Sequence, residues 1–165
     1  MDEIILRYIT TAGLEKTERV NTDETRIGLD LREIASVDLL PLIWCSQLES
    51  LSLSFNKLTE IDLTPLAKCS NLRVLLLDHN QLTTLDLSPL AECTNLEELS
   101  IEHNSVRRVD ISALFECAQL KRLKIDPTTT LIADIFLRSF GSWPNVLVDQ
   151  YHKIIWTHFD RRPAA

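Results

Sequence analysis

The chain has 165 residues, 45% of them hydrophobic and 25% charged, the balance of a single globular domain with a real core. A formal net charge of −7 without any basic stripe excludes a nucleic-acid binder that works by neutralising phosphates, and argues against an anionic membrane surface as target. Three glycines leave no flexible linker, and no apolar run is long enough to span a bilayer.

Residues 1–23 form a first, non-repeating segment and are expected to cap the N-terminal end. Acidic Asp2 and Glu3 stand where an export signal needs bases, so no signal is expected. Ile4-Ile5-Leu6-Arg7-Tyr8-Ile9 is apolar enough to pack on a core as a strand or short helix. There it would also cover an exposed sheet edge.

From Glu24 the chain repeats itself every 24 residues. The copies are 24–47, 48–71, 72–95 and 96–119, followed by a degraded one at 120–143. Within each, apolar and polar residues alternate, as in Leu51-Ser52-Leu53, the pattern of a half-buried strand. Strands of successive coils would lie about 4.8 Å apart. Leu51, Leu53, Leu58, Ile61, Leu63, Leu66 and Leu72 would then share a core that no single coil could bury.

The spacing Leu48, Leu51, Leu53, Asn56, Leu58 recurs as Leu72, Leu75, Leu77, Asn80, Leu82 and as Leu96, Leu99, Ile101, Asn104, Val106. This pattern resembles the leucine-rich-repeat family over residues 24–143. The resemblance implies an α/β solenoid: a short right-handed horseshoe with a parallel sheet on its concave face and short helical turns on its convex face. It implies binding of other proteins, without naming one.

Asn56, Asn80 and Asn104 stand where the chain leaves the strand, and a buried amide there can satisfy backbone groups of its own and the neighbouring coil. Arg32 and Thr128 occupy the equivalent places in the outer copies, so the ladder is expected to break at both ends. In the second half of each coil, Ser88 reads as an N-cap and Pro89 as the first residue of a short helix, with Thr64-Pro65 one coil earlier. Asp38, Asp62, Asp86 and Asp110 align beside these turns, one carboxylate per rung where calcium wants 6–8 oxygens. Cys45, Cys69, Cys93 and Cys117 recur once per coil, which places them along a line in the core. Zinc would need them to converge on a point, so reduced thiols in a cytoplasmic, reducing compartment are expected.

The last segment, 144–165, is expected to be a C-terminal cap and tail. Pro144-Asn145-Val146-Leu147-Val148 predicts a final strand, and Tyr151 to Phe159 a terminal helix or extended cap. The aromatics Phe136, Phe140, Trp143, Tyr151, Trp156 and Phe159 either close the core or, through Trp156 and Phe159, dock a partner or a second copy.

Strand alternation assigns the outward rows of the sheet: Arg26, Ser50, Val74, Glu98, Arg122, then Gly28, Ser52, Leu76, Ser100, Lys124. Asp30, Ser54, Asp78, Glu102, Asp126 form a third row, and Leu31, Phe55, His79, His103, Pro127 a fourth at the turn. Val74 and Leu76 are apolar where the face should meet water, and Phe55 is near them. Asp78 and Glu102 beside His79 and His103 favour a partner carrying a basic or helical segment, with Arg122 and Lys124 as a flanking basic pair. These nine residues are the predicted contact surface of a non-enzymatic adaptor or regulatory subunit that uses no cofactor. Alternation is expected to send Asp78 and His79 to opposite sides, which leaves no nucleophile and base together. Two rival functions are self-association through the terminal aromatics and a metal-dependent activity at His79 and His103.

Overall fold

The computed structural model describes residues 2–139 and 142–158. Its strands in chain order are β1 (Glu3–Thr10), β2 (Glu15–Asn21), β3 (Arg26–Gly28), β4 (Ile34–Asp38), β5 (Ser50–Ser52), β6 (Val74–Leu76), β7 (Glu98–Ser100), β8 (Arg108–Asp110), β9 (Arg122–Lys124) and β10 (Thr130–Asp134). A one-turn helix, α1 (Asn145–Asp149), and β11 (Ile154–Thr157) follow. Strands β3, β5, β6, β7 and β9 pair in that order as one parallel sheet, each shifted by one 24-residue coil from the next. No helix among the described residues is long and apolar enough to cross a membrane.

Every coil sends the same side chains inward. Leu51, Leu53, Leu58, Leu66 and Leu72 are fully buried, as are Leu75, Leu77, Leu82, Leu90 and Leu96. Each such leucine stabilises the fold by about 2 kcal/mol relative to leaving it in water. Ile61 is half-buried and packs against this core from its side.

The asparagines bind coil to coil. Asn80 Oδ1 accepts the Leu58 N–H at 3.1 Å, while its amide donates to Leu53 C=O at 2.9 Å and Leu77 C=O at 3.1 Å. Asn56 and Asn104 repeat the arrangement. In the first coil Arg32 stands in the asparagine position and its guanidinium donates to Glu18 at 2.6 Å, tying β2 to the coil. In the last coil no side chain among the described residues replaces the asparagine; the Thr129 hydroxyl donates to Val106 C=O at 2.8 Å, the role that the Ser105 N–H plays toward Leu82 C=O one coil earlier. Thr128, expected there by register, is exposed because Pro127 alters the turn.

The turns opposite the sheet are five-residue 3-10 helices at Leu40–Trp44, Thr64–Lys68, Ser88–Glu92 and Ser112–Glu116. Ser88 is not the cap expected from the sequence: it lies inside the turn, and no side-chain cap bond forms. The aspartate two residues ahead does that work. Asp38, Asp62, Asp86 and Asp110 each accept the backbone N–H two residues on, at 2.9 Å. The carboxylate column is thereby matched by a column of amide dipoles.

The four cysteines lie beneath these turns, free and buried. Cys69, Cys93 and Cys117 thiols donate to Leu42, Leu66 and Leu90 C=O of the preceding coil at 3.4, 3.2 and 3.4 Å. Burial pushes these three thiols up to about 12.

Both ends differ from the sequence expectation. The N-terminal segment is an antiparallel hairpin, β1 with β2, and it covers the end of the core. However, β1 pairs with β4, not with β3, so it shields the opposite layer and leaves the edge of the parallel sheet unpaired. Residues 144–148 do not form a strand. Pro144 precedes α1, whose Leu147 is fully buried. Tyr151–Lys153 is a single 3-10 turn and no terminal helix forms; the extended alternative is met by β11, which pairs in parallel with β10, itself paired with β8. Trp143, Tyr151 and Trp156 pack with Phe115 in one aromatic cluster that closes this end. Phe140, Phe159 and the tail to Ala165 lie outside the described residues.

Asn80→Ala leaves the buried Leu58 N–H unpaired and takes one of two asparagine donors from Leu53 and Leu77 C=O, and should lower unfolding free energy by about 2 kcal/mol in urea titration. The thiols should resist alkylation at pH 8 until the chain unfolds, when all four react. Because the folded pKa of Cys69, Cys93 and Cys117 is raised, the stability these three confer is complete below the ordinary thiol value near 9 and is lost as pH rises toward about 12. Urea midpoints measured across that window should fall accordingly.

Candidate protein-interaction face

The outward rows of the sheet are fixed by its register. Val74 sits between Ser50 and Glu98, and Leu76 between Ser52 and Ser100. Both apolar side chains are half-buried, and Ser100 beside Leu76 is buried. Arg122 and Lys124 lie on β9, with one strand between them and Val74 and Leu76, and Arg122 is already paired with Glu98 at 3.4 Å. They belong to the sheet's margin, apart from the apolar centre.

At the turn after each strand the backbone becomes left-handed. Leu31, Phe55, His79 and His103 have φ of 58, 57, 55 and 56°. Their amides still bond to the next coil: Phe55 N–H donates to Asp78 C=O and His79 N–H to Glu102 C=O, each at 3.1 Å. Repetition of this turn stacks the side chains. The Phe55 and His79 rings are 4.1 Å apart and 14° from parallel, and His79 and His103 are 4.2 Å apart at 23°. Pro127 ends the row, because its ring holds φ near −65°.

The left-handed turn overturns the expected separation of Asp78 and His79. Strand alternation stops at Asp78, and His79 swings back so that its Nδ1 lies 2.8 Å from Asp78 Oδ2. Burial raises the Asp78 carboxyl, but hydrogen bonds from Ser54, at 2.7 Å, and His79 outweigh it and hold it below the ordinary carboxylate value. Three of the four acids in this row are committed within the protein. Asp30 accepts from Ser52 at 2.6 Å and from Ser54 N–H at 2.9 Å. Asp126 accepts the His103 and Asn104 N–H groups. Glu102, half-buried, is the member of the row without such a bond among the described residues.

Phe55, Asp78, His79, His103 and Glu102 therefore form one continuous strip, next to Val74 and Leu76. The stacked rings lie in near-parallel planes, and no group of three or more His, Cys, Asp or Glu able to hold a metal occurs among the described residues. The aromatic stack was not legible as such from the sequence. Its signal was the 24-residue recurrence of Phe, His, His one place before each asparagine.

Parallel rungs one coil apart, with an amide ladder joining them, define a repeat solenoid. The chain belongs to the leucine rich repeat family, whose model matches residues 46–106 and 70–129. Comparison with curated protein sequences finds no match. Among solved structures, the chain is similar to the leucine-rich-repeat ectodomain of the receptor kinase SOBIR1 from Arabidopsis thaliana. The TM-score is 0.57 at 19% identity, covering 95% of this chain and 77% of the ectodomain. It is also similar to an internalin, InlF, from Listeria monocytogenes, with a TM-score of 0.50 at 24% identity over 71% of this chain and 38% of the internalin. The present chain thus spans well under half of that internalin. Domains of this family are in general protein–protein interaction modules and typically not enzymes.

The left-handed turns carry a measurable cost. Phe55→Gly would relieve about 1–2 kcal/mol of backbone strain and forfeit about 0.5–1.5 kcal/mol of ring stacking. Its urea midpoint should stay close to wild type, because the two changes offset each other.

Proposed function

We propose that this protein is a non-enzymatic adaptor or regulatory module that binds a partner protein on the outward face of its parallel sheet. The observation that carries the reading is the placement of Val74 and Leu76 at the centre of that face, beside the Phe55, His79 and His103 stack. Apolar groups ringed by polar ones supply the anchor and rim of a protein contact. Five strands about 4.8 Å apart make a surface roughly 20 Å across, enough for a helix about 10–12 Å in diameter. Asp78 and Glu102 add negative charge, which favours Lys or Arg on the partner. The proposed setting is the cytoplasm, supported by four unpaired, buried thiols.

Self-association through the C-terminal aromatics has less support, because Trp143 and Trp156 are half-buried in the aromatic cluster. The test is affinity capture with wild type beside Leu76→Arg. The variant places a charge on the half-buried centre of the face without entering the core. It should lose the wild-type partner while its urea midpoint stays within about 1 kcal/mol of stability. Recovery of the same proteins by both would reject the sheet face as the binding surface.

A further inference from the structure

The geometry points to a second docking site: the open edge of β9, which fits an acidic, extended peptide that adds a sixth rung to the sheet. In the 24-residue register the sixth rung would fall at Val146-Leu147-Val148, and the chain instead folds that stretch into α1. No strand follows β9 in the sheet.

The consequences are visible in the last coil. Leu51 and Leu53, Leu75 and Leu77, and Leu99 and Ile101 are at most 2% exposed, because the next coil covers each pair. Leu123 and Ile125, in the same positions, are only half-buried. With Leu131, Gln150 and Lys153 they line a cavity of about 100 Å³ at the end of the solenoid. The backbone is unpaired on the same side. Leu29, Leu53, Leu77 and Ile101 N–H groups donate to the next coil at 2.8–2.9 Å. The equivalent N–H of Ile125 has no partner among the described residues. Strand alternation turns Leu123 N–H and C=O to the same side. Pro127, with no N–H, limits the open edge to these few groups.

Charge selects the occupant. In a chain of net charge −7, the exposed Lys121, Lys124 and Lys153 around this edge outnumber the exposed Asp149, which shares a cleft with Lys121. The acid at the cavity, Asp126, is turned inward onto His103 and Asn104 N–H, and Glu98 is matched by Arg122. An extended segment alternating acidic and apolar residues would pair its backbone with the edge, set apolar side chains over Leu123 and Ile125, and place acids beside the lysines. This site is separate from the Val74 and Leu76 centre and does not rest on that reading.

The experiment titrates the whole chain with a labelled ten-residue peptide of alternating Glu and Val, followed by fluorescence anisotropy. Saturable binding is expected, with none for the Lys–Val counterpart. N-methylation of every second amide should weaken binding at least about tenfold in one of the two frames and leave the other nearly unchanged, the signature of one-sided strand pairing. Lys121→Glu with Lys124→Glu should weaken the Glu–Val peptide about tenfold, and Leu76→Arg should not change it. The proposal is overturned by absent binding, by indifference to both methylation frames, or by loss of binding in Leu76→Arg. It is equally overturned if light scattering shows the chain pairing with itself through this edge and the peptide merely competing.

Discussion

Everything in this molecule depends on one constraint: a coil's backbone must be satisfied by its neighbours while its leucines are kept dry. The asparagine amide meets both demands at once. It sits where the strand bends away, and regular ladder bonding fails there. With one oxygen and two N–H groups, Asn80 serves Leu58 and Leu53 of the coil before it and Leu77 of its own. Leucines can then surround it without leaving its amide unmatched, and among the described residues no buried side-chain nitrogen or oxygen lacks a partner. The register of the outer face follows from that bond, since a slip by one residue would turn the leucines outward.

Much of this was legible in the sequence because repetition amplifies a weak signal. One Leu-x-x-Leu-x-Leu is ambiguous; three in step leave a single way to stack. The core, the parallel rungs, the amide ladder and the line of buried thiols could all be read from spacing. What could not be read were the places where the repeat stops. Val146-Leu147-Val148 has strand composition, yet it is helical after Pro144, and Leu147 reaches the core from there. The hairpin was half-legible: the apolar stretch Ile4 to Ile9 was expected to pack on the core as a strand or short helix, but the alternation of its burial and its pairing with β4 are tertiary choices. The Arg32 to Glu18 bond joins the hairpin and the first coil, two segments with no shared pattern.

The candidate face divides the same way. Its rows follow from alternation and needed no coordinates. Alternation failed at one step, where the chain enters the left-handed turn, and that step decides what His79 touches. Leu and Phe give no signal of a left-handed backbone and His only a weak one, whereas glycine would have been a strong one. The acidic row likewise looked free in the sequence but is largely occupied by serine hydroxyls and turn amides. Its negative field remains available to a partner even where its hydrogen-bonding capacity is used.

The left-handed row has an implication for how such a surface changes over generations. Leu31, Phe55, His79 and His103 share one backbone shape, held by bonds from their own amides rather than by their side chains. The scaffold is therefore indifferent to which unbranched residue occupies each place. Glycine and asparagine would fit most easily, β-branched residues poorly, and proline not at all. The row can be rewritten one letter at a time from that restricted alphabet, altering what is recognised while the solenoid beneath stays as it is.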